Sequence, residues 1–567
     1  MTAYTGKLDD IALYNRALTP QEIATNYNAK AAVASPAQTV SVVAPLTVNT
    51  TSDAANPGAG LLTFRQAVGQ AMATGLPVQF DPSIYGQSIT LSSFITFSSN
   101  VKIVGPGADK ITIKAPSASQ GDYGLFRVSS GVTADISGVT IDGGQGTQGG
   151  QFVTWGNLNL TNNVFKNATG VNGGSIIVGS PGVLTVKGST FQNNYASSNG
   201  GAIYVCTGGS ASVDGSTFTS NHAYYWGAIY LQAGAPLKVT NSTFTGNYTH
   251  AGGGAAIAGE NQNIINISGS TFDGNGTPLQ GSAIYAYNGK LNITDTNILN
   301  NNSSNTVGGA IYVHTETATL TRVNFTHNTK NNGAGDAGAI YVDANSTMNI
   351  NDSKFISNHS DERAGAIRVA SGATVNITGS NFTGNNAGYG GAIYSTGNLN
   401  IQTSTFDGNT AAWQAGAVMT NAASLNISRS TFSNNSTYGE GSVGGALFTY
   451  ISTTFISNST FAYNTSYYGG AIFTQRPNGY SDWVIITNST IANNTAYSRG
   501  GGVDSPATAY TAYGAAYKIF FVAPAEPNNS AYWVRPGGSW GSLSYSWFVA
   551  NNFPYYFWQQ DPYTAYS

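Results

Sequence analysis

Between about residues 159 and 503 the chain says one phrase thirteen times: an alternating apolar stretch, Ser/Thr-x-Phe, an Asn, a polar turn, then Gly-Gly-Ala-Ile-Tyr. The aromatic slot is held by Phe165, Phe191, Phe218, Phe244, Phe272, Phe325, Phe355, Phe382, Phe406, Phe432 and Phe461, with Ile298 and Ile491 substituting. Successive slots lie 24 to 30 residues apart. A fixed period of this size, carried by strand-forming residues with no helical periodicity, restricts the chain to a solenoid whose repeat is one turn. Stretches such as Leu291-Asn-Ile-Thr, Val375-Asn-Ile-Thr and Leu425-Asn-Ile-Ser alternate apolar and polar residues, so one side of each strand faces a narrow core.

Stacked turns repeat at a strand spacing of about 4.8 Å, so equivalent residues should form columns. The Phe slot should build an aromatic stack. Asn194, Asn221, Asn247, Asn275, Asn301, Asn328, Asn358, Asn385 and Asn409 follow three residues later. They should form an amide ladder and also hold a bend, because Asn tolerates left-handed backbone. Gly-Gly should supply a corner where a Cβ would collide.

Composition excludes several classes. Charged residues are 8% of the chain, against about 25% in ordinary soluble domains. A net charge of −3 and the lack of a basic run leave no footprint for nucleic acid. The single Cys206 excludes an intrachain disulfide and reads as small apolar filler. No apolar run reaches about 18 residues, so no membrane span is expected. The opening Met1-Thr-Ala-Tyr-Thr-Gly-Lys7 is not a signal peptide, and the expectation is that the true N-terminus lies upstream.

Five segments follow. In residues 1–28, Leu8, Ile11 and Leu13 mark a short strand, and Thr19-Pro-Gln-Glu22 is a capping box with Pro at the first helical position. This phrase resembles the closing strand and helix of concanavalin-like, laminin G type domains, which implies a remnant of an upstream domain. Residues 29–44, rich in Ala, Ser and Pro, read as a linker. In residues 45–145, Thr63-Phe-Arg-Gln-Ala-Val68 and Ala71-Met-Ala73 predict a short amphipathic helix. Its order resembles the opening segment of bacterial and archaeal β-helix surface proteins, with Phe64 and Val68 in place of a leucine and an isoleucine. A plug at that end is physically required, because a solenoid terminus exposes core and strand edge. Residues 146–504 carry the repeats. Residues 505–567 are aromatic-rich, with strand-like Ser544 to Phe548 and Tyr555 to Trp558, and read either as a cover for the last turn or as an assembly surface.

The paired Phe-x-x-Asn and Gly-Gly-Ala-Ile units, as in Gly200-Gly-Ala-Ile-Tyr204, Gly308-Gly-Ala-Ile-Tyr312, Gly390-Gly-Ala-Ile-Tyr394 and Gly469-Gly-Ala-Ile-Phe473, resemble the repeats of chlamydial polymorphic outer-membrane proteins and archaeal adhesin-like proteins. The resemblance implies an all-β, right-handed parallel β-helix outside the cell.

The fourth residue of Gly-Gly-Ala-Ile-Tyr is always aliphatic, whereas the fifth admits Arg368 and Asp504. Arg is almost never fully buried unpaired, so the fifth position is expected to face solvent. Tyr204, Tyr230, Tyr285, Tyr312, Tyr341, Tyr394, Phe448 and Phe473 would then form an outer aromatic stripe. It reads either as cross-strand stacking that stabilises the sheet, or as a contact surface for glycans or a neighbouring rod.

No catalytic or metal constellation emerges from the columns, and no cofactor is expected. Glycosidic chemistry needs carboxylates about 5 to 9.5 Å apart. Asp273 and Asp407 share a slot five turns apart, and Asp295 and Asp352 share one two turns apart, with nothing basic beside them in sequence. Asp361-Glu-Arg363 reads as a solvated loop. His222 and His359 share a slot five turns apart, which gives no metal pair. Sequons are dense and include Asn241, Asn247, Asn292, Asn324, Asn376, Asn381, Asn426, Asn458 and Asn488. The function expected from these features is a non-enzymatic extracellular or cell-surface adhesin or structural rod, with itself or surface glycans as partner. The alternative is a β-helix protein that binds or cleaves polysaccharide.

Overall fold

The structure, a computed structural model, describes residues 18–23, 44–116, 124–304, 307–314, 317–331, 335–475, 484–504, 519–522 and 556–558. Residues 1–45 and 46–567 are two separate units. In the first, the capping box is present: the Thr19 N–H donates to Glu22 Oε2 at 2.8 Å and the Glu22 N–H to Thr19 Oγ1 at 3.3 Å. The expected strand near residues 8–14 lies outside the described residues, as does nearly all of the linker.

The second unit is a right-handed parallel solenoid. Each turn contributes up to four short strands. The turn that starts at Val183 shows the plan: Val183–Lys187 on a long face, Thr190–Gln192 on a Phe face, Tyr195–Asn199 on a corner face and Ile203–Val205 on an Ile face. Each strand pairs in parallel with its counterpart one turn on. The four resulting sheets hold 19, 16, 14 and 16 strands.

The columns predicted from the repeat are present. Phe218, Phe244 and Phe272 stack with ring centres 4.7 and 4.8 Å apart and planes within 7°. After Ile298 the stack resumes from Phe325 to Phe461 at 4.5–4.7 Å. These rings are fully buried.

The Asn ladder forms as well, but not as a bend. Asn221 is fully buried. Its Oδ1 accepts from the backbone N–H and Nδ2 of Asn194, at 3.2 and 2.9 Å. Its Nδ2 donates to Oδ1 of Asn247 at 3.1 Å and to the carbonyl of Phe191 at 2.9 Å. The amide thus uses all four of its hydrogen-bonding positions, and the pattern runs on to Asn494. The left-handed backbone falls one residue earlier, at Asn193, Ser220, Gly246 and Gly274. The corner and the ladder are therefore separate jobs done by adjacent residues.

A second ladder was not foreseen. Ser189 donates its N–H to Ser216 Oγ, and Ser216 to Ser242 Oγ, each at 3.1 Å. Each hydroxyl turns back to the carbonyl two residues before it. The Gly-Gly corner is as tight as expected: Gly390 has φ +60°, and a Cβ on Gly391 would stand 2.1 Å from the Gly416 carbonyl oxygen.

The leading end is closed by the helix Phe64–Thr74. Thr63 and Gln66 form a capping box, Gly75 ends the helix in left-handed backbone, and Phe64, Ala67, Val68 and Ala71 are buried. Arg65 pairs with Asp53 at 2.8 Å and donates to the carbonyls of Ser93 and Phe94. At the far end, Ile519–Val522 extends the long face from Val484–Thr487, and Tyr556–Trp558 adds to it antiparallel. Ser544 to Phe548 lies outside the described residues.

One inner position departs from the small residues around it. Lys330 is fully buried in a slot that Ser303 and Ser360 hold in the adjacent turns. Its Nζ donates to the Asn331 carbonyl at 2.9 Å. Burial pushes its pKa below the usual lysine value, against the opposing pull of Asp361, Asp336 and Glu362.

Two denaturation measurements check this account. Asn301→Leu removes the acceptor shared by the Asn275 N–H and Nδ2 and the donor to the Phe272 carbonyl, and is expected to lose about 3 kcal/mol or more. The exposed Asn292→Leu is expected to lose under about 0.5 kcal/mol. Lys330→Met is expected to raise stability by about 1–2 kcal/mol at pH 7. That gain should shrink as pH rises through the depressed folded pKa toward 10.5, because the wild-type amine is then neutral.

Candidate functional site

The richest chemistry among the described residues lies on the outer side of the Ile face. Alternation sends Ile203, Ile229, Ile284, Ile311, Ile340, Ile367 and Ile393 into the core, where all are fully buried, and sends the next residue outward. The stripe positions are in register: Tyr204 with Tyr230, Tyr285 with Tyr312, Tyr312 with Tyr341, and Phe448 with Phe473.

The expectation that this stripe faces solvent is corrected. Tyr230, Tyr312, Tyr394, Phe448 and Phe473 are 1–7% exposed, and Tyr204, Tyr285 and Tyr341 are half-buried. The residue just before each Gly corner explains the difference. These residues bridge turn to turn, as in Asp336–Arg363–Tyr389 and Gln414–Val443–Tyr468. Tyr389, Val443, Tyr450 and Tyr468 pack over Tyr394, Met419, Phe448 and Phe473. Trp226 reaches across the gap left by Ala258, with its ring 4.9 Å from Tyr285 and 6.5 Å from Tyr230.

The premise about Arg368 also fails in a specific way. It is 9% exposed, but it is paired. Its Nε donates to Asp336 Oδ2 at 3.2 Å, its Nη1 reaches Thr396 Oγ1 at 3.1 Å and the Val369 carbonyl, and its guanidinium lies 4.6 Å from the Tyr394 ring centre. Arg363 joins Asp336 at 3.4 Å and Glu362 at 2.8 Å. Within the Asp361-Glu-Arg363 segment expected as a solvated loop, Asp361 is exposed, while Glu362 and Arg363 belong to an ion network.

At the centre of the stripe, Asp343 gathers two neighbours on one oxygen. Its Oδ2 accepts from Tyr312 Oη at 2.5 Å and lies 3.0 Å from His314 Nδ1. Its Oδ1 accepts the Ala344 N–H at 2.7 Å. Tyr287 stacks on the His314 ring at 4.6 Å, and Tyr312 lies between Tyr285 and Tyr341 at 5.0 and 5.7 Å. Glu260 accepts from Tyr230 Oη at 2.7 Å. Sequence reading missed Asp343, His314 and Glu260 because they fall two residues after the stripe position, outside the five-residue phrase. The period of two would have placed them on the same side.

Burial sets the ionisation of this group. It pushes Tyr204 up to about 12, with Cys206 and Glu260 adding to it. Burial, then the hydrogen-bonded carboxylates, push Tyr230 and Tyr312 further. Burial also raises the Cys206 thiol. For Asp343 burial pulls upward, but the bonds from Tyr312, His314 and Ala344 outweigh it and hold the carboxyl below its ordinary value.

Residues 123–329 match the family model for a right-handed β-helix region. No curated protein and no solved structure matches the chain significantly.

The remaining sequence candidates separate. Asp295 and Asp352 do share a slot, but Arg322 occupies the same slot in the turn between them and pairs with Asp295 at 2.6 Å, which corrects the view that nothing basic flanks them. Asp273 and Asp407 are engaged by Asn300 and by Ser433 and Asn434. Among the sequons, Asn241, Asn292, Asn381, Asn426, Asn458 and Asn488 are exposed, and Asn324 and Asn376 are half-buried. Asn247 is fully buried in the amide ladder, which removes it as a glycan acceptor in the folded chain. Asn241, Asn458 and Asn488 sit in left-handed backbone at a corner, each followed by a ladder Ser and an outward Thr. The repeat therefore writes Asn-Ser-Thr for structural reasons of its own.

Two outcomes follow. Removing the shared partner with Asp336→Ala strands the buried Arg368 and is expected to cost about 3–5 kcal/mol in denaturant unfolding. The raised tyrosines stabilise the fold fully below pH 10 and lose that contribution as pH rises through their folded values, near 12 for Tyr204. Phenolate absorbance should accordingly lag behind that of the unfolded chain, and stability should fall above pH 10.

Proposed function

We propose that this chain is a non-enzymatic extracellular rod, adhesive or structural, that acts through its flanks. Domains of the right-handed β-helix type occur both in surface adhesins and in polysaccharide-processing enzymes. The observation that carries the adhesive reading is the outward side of the long face. Asn292 donates to Asn266, Asn376 to Asn349, Asn400 to Asn376 and Asn426 to Asn400, at 2.7–2.9 Å. These rows present uncharged amides already ordered by their neighbours, so a partner meeting them loses little further side-chain freedom. The chain itself or a surface glycan is the partner.

Imaging of the purified protein over a range of concentrations, alongside binding to immobilised glycans, tests this. Lateral or end-on association, or glycan capture, is expected; isolated rods at every concentration with no glycan bound would count against it. A second reading rests on Tyr312, His314 and Asp343, which bring proton donors and an acceptor together on one flank. Reproducible cleavage of a polysaccharide, abolished by His314→Ala, would replace the rod reading with an enzymatic one.

A further inference from the structure

Away from the Ile face, titratable and aromatic side chains gather on the corner face, where Tyr195, His222, Tyr224, Tyr225, Tyr248 and His250 meet in three consecutive turns. The sheet fixes their places. His222 pairs in register with Tyr195 on one side and Tyr248 on the other. The His250 N–H reaches the carbonyls of Ala223 and Tyr224, each at 3.2 Å, so His250 lies beside Tyr224 and diagonal to His222. The two imidazole centres are 6.5 Å apart with planes at 85°. His250 is exposed and His222 half-buried.

Two imidazoles bound to one ion, each with nitrogen about 2.0–2.1 Å from the metal, put their ring centres roughly 5–6.5 Å apart. The observed 6.5 Å lies at the upper end of that range. Tyr248 stands edge-on to His250 at 5.1 Å, with its hydroxyl on the same exposed surface. Within its own column His222 is matched only by the distant His359, whereas His250 lies on the diagonal.

We propose that His222 and His250 form a two-imidazole site for a divalent late transition metal, completed by water and open to the Tyr248 hydroxyl. Imidazole suits zinc, nickel and copper, and copper(II) forms the tightest complexes of the series. Copper(II) is therefore the probe.

The full-length protein, freed of metal, is titrated with copper(II) at pH 7.4 by calorimetry and by electron paramagnetic resonance. One site with two-nitrogen coordination is expected. His222→Tyr, which matches its neighbours in the column, and His250→Ala should each weaken it by on the order of tenfold or more. The double variant should lose it, while His314→Ala and His359→Ala leave it intact. Circular dichroism confirms the fold of each variant. The proposal is overturned if wild type binds no copper, or if the double variant keeps the same affinity and spectrum.

Discussion

The structure depends on the buried Asn amide. A solenoid must turn its backbone several times per coil, and each turn strands peptide groups away from both water and the sheet ladders. Asn221 and its equivalents meet that demand with one side chain, satisfying a backbone N–H and a carbonyl in the turn before and the amide in the turn after. Because each amide is bonded on both sides, removing one disturbs three turns. The Ser ladder at the opposite end of the Phe strand does the same work with hydroxyls. Between the two ladders the Phe rings have little freedom except to stack.

The chain carries little charge, and part of it gathers on the Ile face. Asp336, Arg363 and Arg368 interrupt the aromatic stripe and satisfy one another there. Asp343 and Glu260 accept from tyrosines that burial would otherwise leave without acceptors. Between Ala364 and Phe473 the Ile face is thus a second, thinner core outside the first, roofed by residues that precede the Gly corners. The long face differs: its outward amides bond to one another and remain available to a partner. This contrast between a roofed flank and an open one supports contact along the long face.

Much of the architecture was legible because the repeat is strict. Phe218, Phe244 and Phe272 occur at one spacing, and a solenoid is the arrangement in which that spacing stacks them. The inward fourth residue and the capping helix at Phe64 were readable for similar local reasons. The roofed stripe was not, because it depends on a residue five positions earlier in the same turn and on Trp226 spanning a gap two turns wide. The His222 and His250 diagonal was hidden for a related reason: it joins different slots of neighbouring turns.

The sequence by itself determined the winding, the core columns and the ladders, since each follows from period, alternation and the hydrogen-bonding capacity of Asn, Ser and Gly. Only the tertiary structure decided which outward residues are open, which carboxylate meets which hydroxyl, and where charges pair. Those outcomes depend on lateral packing between turns, and a one-dimensional pattern carries no record of how far a side chain such as Trp226 or Arg368 leans.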